Sequence, residues 1–439
     1  MILPIMIYHF NIVGIYFLIT NLLVNIIIGP IMFLSILFVI ISFLKLKILQ
    51  FVSIFLTIGL ELLTQISNIA NLPLAKIYVC TPKILVICIY YIFIVLVTEL
   101  CLIYLKKENT CSEKRIKNLI ALFRYNYFIK KDKILKKYKN VIVERNIKVL
   151  FLKFTKIFVL ILLLLGIVNF NKRLEIHFLD VGQGDCCFII TPNKKSILID
   201  GGGSTSDNYD VGENTLIPYL LDKGYKKIDY IFITHFDQDH VGGILSVLEE
   251  LQVGKIYISK QEEISENYYK FLDIVKSKEL KVKLVQAGDN LNIDNIKIQI
   301  LWPVKECIKE NILNNNAIVM KLEYANFSML FTGDIEEIAE KELIKLYGKT
   351  DKLQANILKV AHHGSKTSSS QEFIELVKPQ IALIGVGKNN LFGHPSQIVL
   401  ERLENYGTKI YRTDEDGEIS IYAKTKRGII IKGFKHRVK

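Results

Sequence analysis

The chain has 439 residues, which is enough for two or three structural units. It is 51% hydrophobic and 23% charged, and no Asp, Glu, Lys or Arg occurs before Lys45. That uncharged opening is far longer than the roughly 20 residues that cross a bilayer, which excludes a wholly soluble protein. A cleavable signal peptide is not expected, because the apolar run is too long and has no basic start. We expect a multi-pass protein of the cell membrane with a polar C-terminal domain.

The apolar runs predict about four transmembrane helices within residues 1–105. The Gly29-Pro30 pair predicts a break between the first two, which are expected at about 4–28 and 31–49. The third run covers about 50–71, and the fourth covers 84–105. Residues 106–153 form a basic loop, and 154–170 are predicted to be the last transmembrane helix.

Most of the positive charge lies in one segment. Residues 106–153 carry 15 Lys or Arg and 4 Asp or Glu, an excess of +11 that leaves +2 of the net +13 for the rest of the chain. The basicity of the chain therefore does not by itself indicate nucleic acid binding. Basic loops stay in the cytoplasm, and Lys45 and Lys47, two spans earlier, fall on the same side. This predicts an extracytoplasmic domain over residues 171–439, although a DNA- or lipid-binding arm is an alternative for the basic loop.

From Arg173 onward, short apolar runs separated by turn residues predict β-strands, beginning with "LEIHFLDVG", "CCFIIT" and "SILIDGG". Strand–helix alternation follows in the second half, as in "ILKVAHHGS", "SSQEFIELVKP" and "IALIGVG". Two β-rich halves that each end in helices predict an α+β domain, with two sheets packed face to face and helices outside in an αββα sandwich.

Side chains that bind metals follow five of the predicted strands: Asp200, the segment His235–His240, Asp334, His362 with His363, and His394. Loops at strand ends combine a fixed position with exposure, so functional sites often lie there. In "HFDQDH", His235, Asp237 and Asp239 alternate with other residues, so an extended turn can direct all three to one point. A solvated turn is the plainer alternative for this cluster, and a satisfied core histidine is the plainer alternative for one of His362 and His363.

The carboxylate of Asp334 can place one oxygen on each of two cations. Two divalent ions can activate a water molecule and neutralise charge on a phosphoryl or acyl oxygen. Three carboxylates with two or three imidazoles form a harder ligand set than histidines alone. This set favours two Mn²⁺ ions, with Zn²⁺ or Mg²⁺ as alternatives.

Six motifs carry a family resemblance: "FLDVGQGD" (178–185), "ILIDGG" (197–202), "THFDQDHVGG" (234–243), "LFTGD" (330–334), "LKVAHHGSKTSSS" (358–370) and "FGHP" (392–395). They resemble the metallo-β-lactamase fold and, more narrowly, the C-terminal domain of the ComEC-type competence DNA-uptake channels. The opening "PIMIYHFNIVGIYFLITNLLVNIIIGP" resembles the end of that family's membrane competence region. The resemblance implies a metal-dependent hydrolase, a nuclease outside the membrane that degrades one DNA strand while the other enters the cell.

The resemblance also implies roles for individual residues. His235 and Asp237 would bind one metal ion, and Asp239, His240 and His394 would bind the other, with Asp334 bridging. His362 would be the catalytic residue that donates a proton to the leaving oxygen, and Asp239 would be both a ligand and a catalytic residue. The residues expected to bind substrate or line the site are His363, Ser365, Lys366, Thr367, Ser368, Gln183 and Asp185, with Asp200 lining or buttressing it.

The chain departs from the family pattern in two places. No histidine occurs between His240 and His362, and "NNNAIV" around Asn316 replaces the family's "NxxS"-like stretch. Most of the family's membrane channel is also missing from the sequence. The expected partners are DNA (a single strand or a duplex being unwound), the membrane and a separately encoded channel subunit. Two other functions stay open: hydrolysis of another cell-envelope phosphodiester, and DNA binding without catalysis in a transport subunit.

Overall fold

The computed structural model describes residues 3–43, 48–69, 72, 76–99, 102, 173–204, 209–262, 265–424 and 428–434. The predicted basic loop (106–153) and the predicted last span (154–170) lie outside the described residues. The chain forms two compact units, Met1–Pro82 with Lys172–Lys439, and Lys83–Asn171.

The N-terminal part of the first unit consists of α1 (Leu3–Phe10), β1 (Ile12–Gly14), α2 (Phe17–Phe43), α3 (Leu49–Asn68) and β2 (Lys76–Tyr78). In the second unit, helix α4 covers Ile84–Glu99. Of the described helices, α2 and α3 are long and apolar enough to cross a membrane.

Helix α2 continues through Gly29 and Pro30, so the predicted break at this pair is wrong. A proline removes one backbone hydrogen bond, but an apolar helix that stays continuous keeps all its other backbone groups bonded, which a membrane requires. Helices α2 and α3 pack closely as a hairpin. A Cβ atom on Gly59 of α3 would lie 2.8 Å from Cγ1 of Ile31 on α2.

Both ends of this hairpin meet the domain. Strands β1 and β2 pair antiparallel, and the buried Asn11 beside β1 donates from Nδ2 to Thr81 Oγ1 at 2.6 Å. The backbone N–H of Thr81 donates to the carbonyl of Leu221 in the domain at 3.1 Å. Tyr78 and Cys80 pack against the domain's apolar core. The segment after β2 is therefore docked on the domain by both hydrogen bonds and apolar contacts.

In the part of the domain that the structure describes, fifteen strands form two sheets: β3 Leu174–Phe178, β4 Cys187–Ile190, β5 Ser196–Ile199, β6 Lys227–Ile233, β7 Gln252–Ile258, β8 Lys281–Leu284, β9 Asn290–Ile293, β10 Ile296–Trp302, β11 Val319–Tyr324, β12 Phe327–Phe331, β13 Ile357–Lys359, β14 Ile381–Ile384, β15 Lys409–Arg412, β16 Glu418–Lys424 and β17 Gly428–Phe434. The eight-stranded sheet has the order β17-β16-β3-β4-β5-β6-β7-β8, and the seven-stranded sheet has the order β15-β14-β13-β12-β11-β10-β9.

The longer helices of the domain cover the outer faces of the two sheets, and short helical turns follow several strands. They are a π-helix Gly212–Leu216 that continues into α5 Ile217–Asp222, then α6 Gln238–Glu250, α7 Glu266–Ser277, α8 Ile312–Asn315, α9 Glu337–Tyr347, a 3-10 turn Ala361–Gly364, α10 Gln371–Val377, α11 Gln397–Asn405 and α12 Thr413–Asp416. One apolar core lies between the sheets, a second lies under α5–α7, and a third lies under α9–α11. Successive side chains of a strand point to opposite faces of its sheet. In β5, Ile197 and Ile199 pack in the core between the sheets, and Leu198 packs in the core under α5–α7. The predicted αββα sandwich is confirmed.

The topology brings several loops to one place. Strands β5 and β6 are parallel in one sheet, and β12, β13 and β14 are parallel in the other. Parallel strands that are neighbours share a carboxyl edge, where sites of such sheets collect. The residues after β5, β6, β12 and β13 are those for which the motifs predict metal chemistry.

Helix α6 packs unusually close to the loop after β5. A Cβ atom on Gly243 would lie 2.2 Å from the carbonyl oxygen of Gly201, and the backbone N–H of Gly243 donates to Gly202 O at 2.8 Å. Only glycine permits this approach. The start of α6 is therefore held against the loop after β5, which also carries a candidate metal-site residue.

Gly243→Ala is expected to push α6 away from Gly201 and to lower the free energy of unfolding by about 2 kcal/mol. The measurement is thermal unfolding of the full chain in detergent. Gly242→Ala is the matched control, because its Cβ would first meet the flexible Gln238 side-chain end, at 2.7 Å. An equal loss of stability in the two variants would contradict the close-approach explanation.

Candidate metal centre

Asp200 links the loops after β5 and β6. It is 2% exposed, and its backbone φ of 54° turns the chain sharply at the strand end. Its carboxylate accepts hydrogen bonds from Thr234 N at 2.8 Å and Thr234 Oγ1 at 2.7 Å. It also accepts from His240 Nδ1 at 2.9 Å. That bond fixes the ring of His240 and leaves its Nε2 facing away from Asp200. Carboxylates that hold the far nitrogen of a metal-binding histidine act in the same way.

His363 is held in the same way from the opposite sheet. Its Nδ1–H donates to the carbonyl oxygen of Gly385 at 2.8 Å, and its backbone is left-handed, with φ 53°. Its Nε2 lies 3.1 Å from Asp239 Oδ2 and 3.3 Å from Asp334 Oδ2. The Nε2 atoms of His240 and His363 are only 3.3 Å apart. Two imidazoles fixed at Nδ1 thus direct their second nitrogens to one point.

Asp334 lies at the middle of this cluster. Its Oδ1 is 3.1 Å from His240 Nε2, and its Oδ2 is close to His363. Ligand atoms from Asp185, His240, Asp334 and His363 all lie within 4.8 Å of one another, and all four residues are buried. Buried imidazoles and carboxylates in this mixture suit a divalent cation of intermediate hardness.

An orphaned nitrogen supports the same fit. His235 is 1% exposed, and its Nδ1 is 3.0 Å from Thr234 Oγ1. Its Nε2 has no hydrogen-bond partner among the described residues and lies 3.5 Å from Asp237 Oδ2. A buried ring nitrogen without a partner is costly, and a cation beside Asp237 would satisfy it.

The cluster is strongly polarised. Burial by itself would raise the pKa of Asp334, but His240, His363 and Lys359 hold that pKa well below its usual range. Burial opposes protonation of His240, but Asp334 and Asp200 raise its pKa well above the ordinary value. For His363, Asp334 and Asp185 likewise outweigh burial and raise the pKa to about 10. These protons compete with a divalent cation for the same lone pairs, so a bound cation displaces them.

Lys359 supplies a fixed positive charge behind the cluster. It is 2% exposed, and its Nζ donates to Gly333 O at 2.8 Å and lies 3.3 Å from Asp334 Oδ1. It also forms an ion pair with Asp185. Burial lowers the pKa of Lys359, but Asp185 and Asp334 outweigh it and the pKa is raised. The motif analysis did not single out this residue, although a lysine inside the apolar run "ILKVA" was a signal.

The structure separates the two neighbouring histidines. His363 lies in the cluster, although the sequence predicts a substrate-binding role for it. His362 has φ 48° and lines a cleft of about 600 Å³, and its Nδ1 is 3.6 Å from Glu336 Oε1. His394, the predicted ligand, lies against His362 with ring centroids 5.7 Å apart. Asp237 and Asp239 line the same cleft.

The residues predicted to bind phosphate mostly bond within their own loop. Ser365 Oγ is 3.0 Å from Thr367 Oγ1, and Ser368 Oγ donates to the carbonyl of residue 361 at 2.9 Å. Lys366 is exposed. Gln183 lines the cleft, and its Oε1 accepts from the N–H of residue 387 at 3.2 Å. Phosphate binding by these side chains stays a prediction.

Two sequence families match different parts of the chain. Residues 179–388 match the metallo-beta-lactamase superfamily, and residues 1–102 match the competence protein family. The first match contains the cluster residues from Asp185 to His363. The predicted fold and the predicted resemblance are confirmed, and a divalent-metal site is implied by the superfamily.

Several curated proteins are similar to this chain. The chain is 34% identical over 265 residues to ComE operon protein 3 of Bacillus subtilis (strain 168), an alignment that covers 58% of this chain and 34% of that protein. It is 29% identical over 247 residues to Recombination protein 2 of Haemophilus influenzae, covering 56% of this chain and 28% of that one. The chain thus spans about a third of the length of these relatives. Among solved structures, the metallo-beta-lactamase fold protein YhfI of Bacillus subtilis is similar, with 12% identity, a TM-score of 0.40, and 57% of this chain and 100% of that chain covered.

Lys359→Met is expected to destabilise the domain by about 3–5 kcal/mol, because it leaves Asp185 and Asp334 buried without their cation. Adding Asp185→Asn should restore part of the lost stability, since it removes one of the two unpaired charges. The measurement is thermal unfolding in EDTA.

Lys321→Met is the matched control for this prediction. Lys321 is also largely buried in the sheet, but its ion-pair partner Glu323 is 33% exposed. Water can therefore solvate the remaining carboxylate, and the loss should be smaller. Equal stability of Lys359→Met and the wild-type chain would contradict the role of Lys359 as the internal counter-charge.

Proposed function

Because the chain belongs to the ComEC-type competence proteins and contains their metallo-β-lactamase-fold hydrolase domain, we propose that the domain is a metal-dependent nuclease acting during DNA uptake. Its substrate would be DNA, either single-stranded or a duplex being unwound, of which one strand is degraded outside the membrane. The observation that carries this proposal is the convergence of His240 Nε2 and His363 Nε2 on Asp239 and Asp334.

Two sets of residues would hold the metal. The better-formed set is His240, His363, Asp239 and Asp334, with both rings fixed at Nδ1. Asp239 is included because its Oδ2 lies 3.1 Å from His363 Nε2. Asp185, which also lies in the buried cluster, is paired with Lys359. The second set is His235 with Asp237, beside the first: the rings of His235 and His240 have centroids 4.1 Å apart. The mixture of carboxylates and imidazoles favours Mn²⁺.

When bound, divalent cations supply charge stabilisation for a phosphoryl oxygen and activate water for attack on phosphorus. The side chains of the domain position the reacting groups. Asp239 and Asp334 line the cleft, and an oxygen of each lies within 3.3 Å of His363 Nε2. His362 lines the same cleft, with Glu336 near its Nδ1, and is the residue proposed to donate a proton to the leaving oxygen.

We also propose that the domain lies outside the cytoplasm. If α2 and α3 span the bilayer, both ends of the hairpin that meet the domain lie on one side of the membrane. Lys45 and Lys47 lie in the sequence between the two helices and therefore on the other side. Since lysines in short loops stay in the cytoplasm, the domain is placed outside, in agreement with the charge of residues 106–153.

His363→Ala is expected to lose the tightly bound metal and DNA cleavage together, since it removes one ring from the better-formed set. His362→Ala should keep its metal but lose about 10²- to 10⁴-fold in kcat, as removal of a general acid does. The measurements are Mn content by elemental analysis of the full chain in detergent, and cleavage of a labelled single-stranded oligonucleotide with added Mn²⁺.

Two further variants sharpen this experiment. Lys345→Gln, on the exposed face of α9, is the control and should retain both metal and activity. His394→Ala tests the ligand role predicted for His394: if it loses the metal and His363→Ala does not, the ligand assignment reverses. A wild-type chain that hydrolyses a small choline ester but not DNA would replace the nuclease proposal with the envelope-phosphodiester alternative.

The orientation has its own test. A cysteine at Lys255, exposed at the surface of the domain, should react with a membrane-impermeant maleimide in intact cells, in a background whose native cysteines are replaced. A cysteine at Lys45 should react only after permeabilisation. The opposite labelling pattern would overturn the orientation and leave the nuclease proposal standing.

A further inference from the structure

An apolar pair lies exposed at the catalytic cleft. In the loop after β14, Leu391 is 99% exposed and Phe392 is 64% exposed. Phe392 lines the cleft of about 600 Å³ together with Asp239, Asp334 and His362. Large apolar side chains at this exposure beside a candidate active site indicate a surface for binding.

Hydrogen bonds from Asn390 order the backbone of the loop that carries Phe392. Asn390 Nδ2 donates to Gly387 O at 3.1 Å and to His394 O at 2.7 Å. Its Oδ1 accepts from the backbone N–H of Phe392 at 3.2 Å and of His394 at 3.1 Å. The loop is therefore ordered by polar contacts around Asn390, and burial of Phe392 plays no part in that order.

A series of rings leads from the rim to the proposed proton donor. Phe392 is stacked on His394, with centroids 6.0 Å apart and planes 14° from parallel. His394 in turn packs edge-on against His362, at 5.7 Å. A group that stacks on the outer face of Phe392 would thus be held next to the reacting centre.

The other sheet contributes a second aromatic residue. Tyr209, in the loop after β5, lines the same cleft and is 46% exposed. Its hydroxyl is 2.8 Å from Thr215 Oγ1, which fixes the side chain at its polar end. Phe392 and Tyr209 therefore reach one cleft from the loops of two different sheets.

The side chains that line the cleft carry negative charge, which bears on how a nucleic acid could bind there. Among the described residues that line it are four aspartates, Asp180, Asp237, Asp239 and Asp334, and no lysine or arginine. These aspartates do not attract a phosphodiester backbone. A metal bound by the candidate metal centre would be the source of attraction for the phosphate. The bases of a nucleic acid, which have flat apolar faces, are therefore the part that the aromatic residues of this lining can bind.

We propose that Phe392 and Tyr209 form a stacking site for unpaired nucleobases next to the phosphate that is cleaved. This inference rests on the proposed nuclease function and specifies its substrate as a strand whose bases are unstacked. Stacking on an aromatic side chain tolerates any base, because every base has a π-face. The site would therefore select single strands over duplex without selecting sequence.

The test compares two fluorescent oligonucleotides of twelve nucleotides, one of thymidines and one whose sugars are abasic, with the full chain in detergent and Mn²⁺. The wild-type chain should cleave the thymidine strand with a KM roughly tenfold lower than the abasic strand. Phe392→Ala should remove that difference by raising KM for the thymidine strand only, with little change in kcat. Phe392→Trp should preserve the difference, and Phe392→Leu should remove it.

Leu391→Ala is the control, because Leu391 is the more exposed neighbour but offers no ring. It should leave both KM values unchanged. Cleavage of the two strands with equal KM would overturn the stacking site while the nuclease proposal stands. A Leu391→Ala effect equal to that of Phe392→Ala would also overturn it, in favour of a general apolar surface. No cleavage of either strand by the wild-type chain would overturn both proposals.

Discussion

Four charged side chains that are almost fully buried meet where the two sheets come together: Asp185, Asp200, Asp334 and Lys359. Charges in a low-dielectric interior are tolerated only when they are paired and hydrogen-bonded. Lys359 pairs with Asp185 and Asp334, and Asp200 is bonded by Thr234 and His240. The lysine is one positive charge among several carboxylates, and the protons held by His240 and His363 at their raised pKa values supply the rest. A divalent cation would take the place of those protons.

The need to balance these buried carboxylates accounts for how the side chains around the cluster are held. Asp200 and the carbonyl of Gly385 each hold the Nδ1 of one histidine, and each belongs to a different sheet. The relative position of the two histidine Nε2 atoms therefore depends on how the sheets pack on each other and on the close approach of α6 to Gly201. A change in that packing would move the ligands without touching them, which links the stability of the domain to its chemistry.

The membrane segment and the domain are also connected through a specific interface. Asn11 and Thr81 join the ends of the helical hairpin by hydrogen bonds, and Thr81 continues the bonding to Leu221 of the domain. Tyr78 and Cys80 add apolar contacts to the core under α5–α7. These contacts fix the position of the domain relative to the hairpin.

Much of the fold could be predicted from local pattern. Short apolar runs and turn residues predict β3 to β8 and β10 to β16 near their observed positions, because most of these strands carry their own apolar pattern. Local pattern did not predict β9, α7 or β17. Strand β9 (Asn290–Ile293) is short and polar, and β17 is defined by its pairing with β16, a contact that local pattern does not contain. The predicted break at Gly29-Pro30 was wrong because packing against α3 and the apolar surroundings keep the helix continuous.

At the site, too, some features could be predicted from local sequence and others depend on tertiary contacts. Ligand-type residues at strand ends could be identified from the sequence alone, because Asp and His in a short turn after an apolar strand have a direct chemical meaning. The different surroundings of His362 and His363 could not, since a left-handed turn at both residues decides which ring faces Asp334. The ion pairs of Lys359 and the stacking of Phe392 on His394 likewise depend on contacts that local pattern does not contain. Side-chain type and spacing thus determined the chemistry available to this protein, whereas sheet packing decided which atoms meet, because distances between remote residues are set by the whole fold.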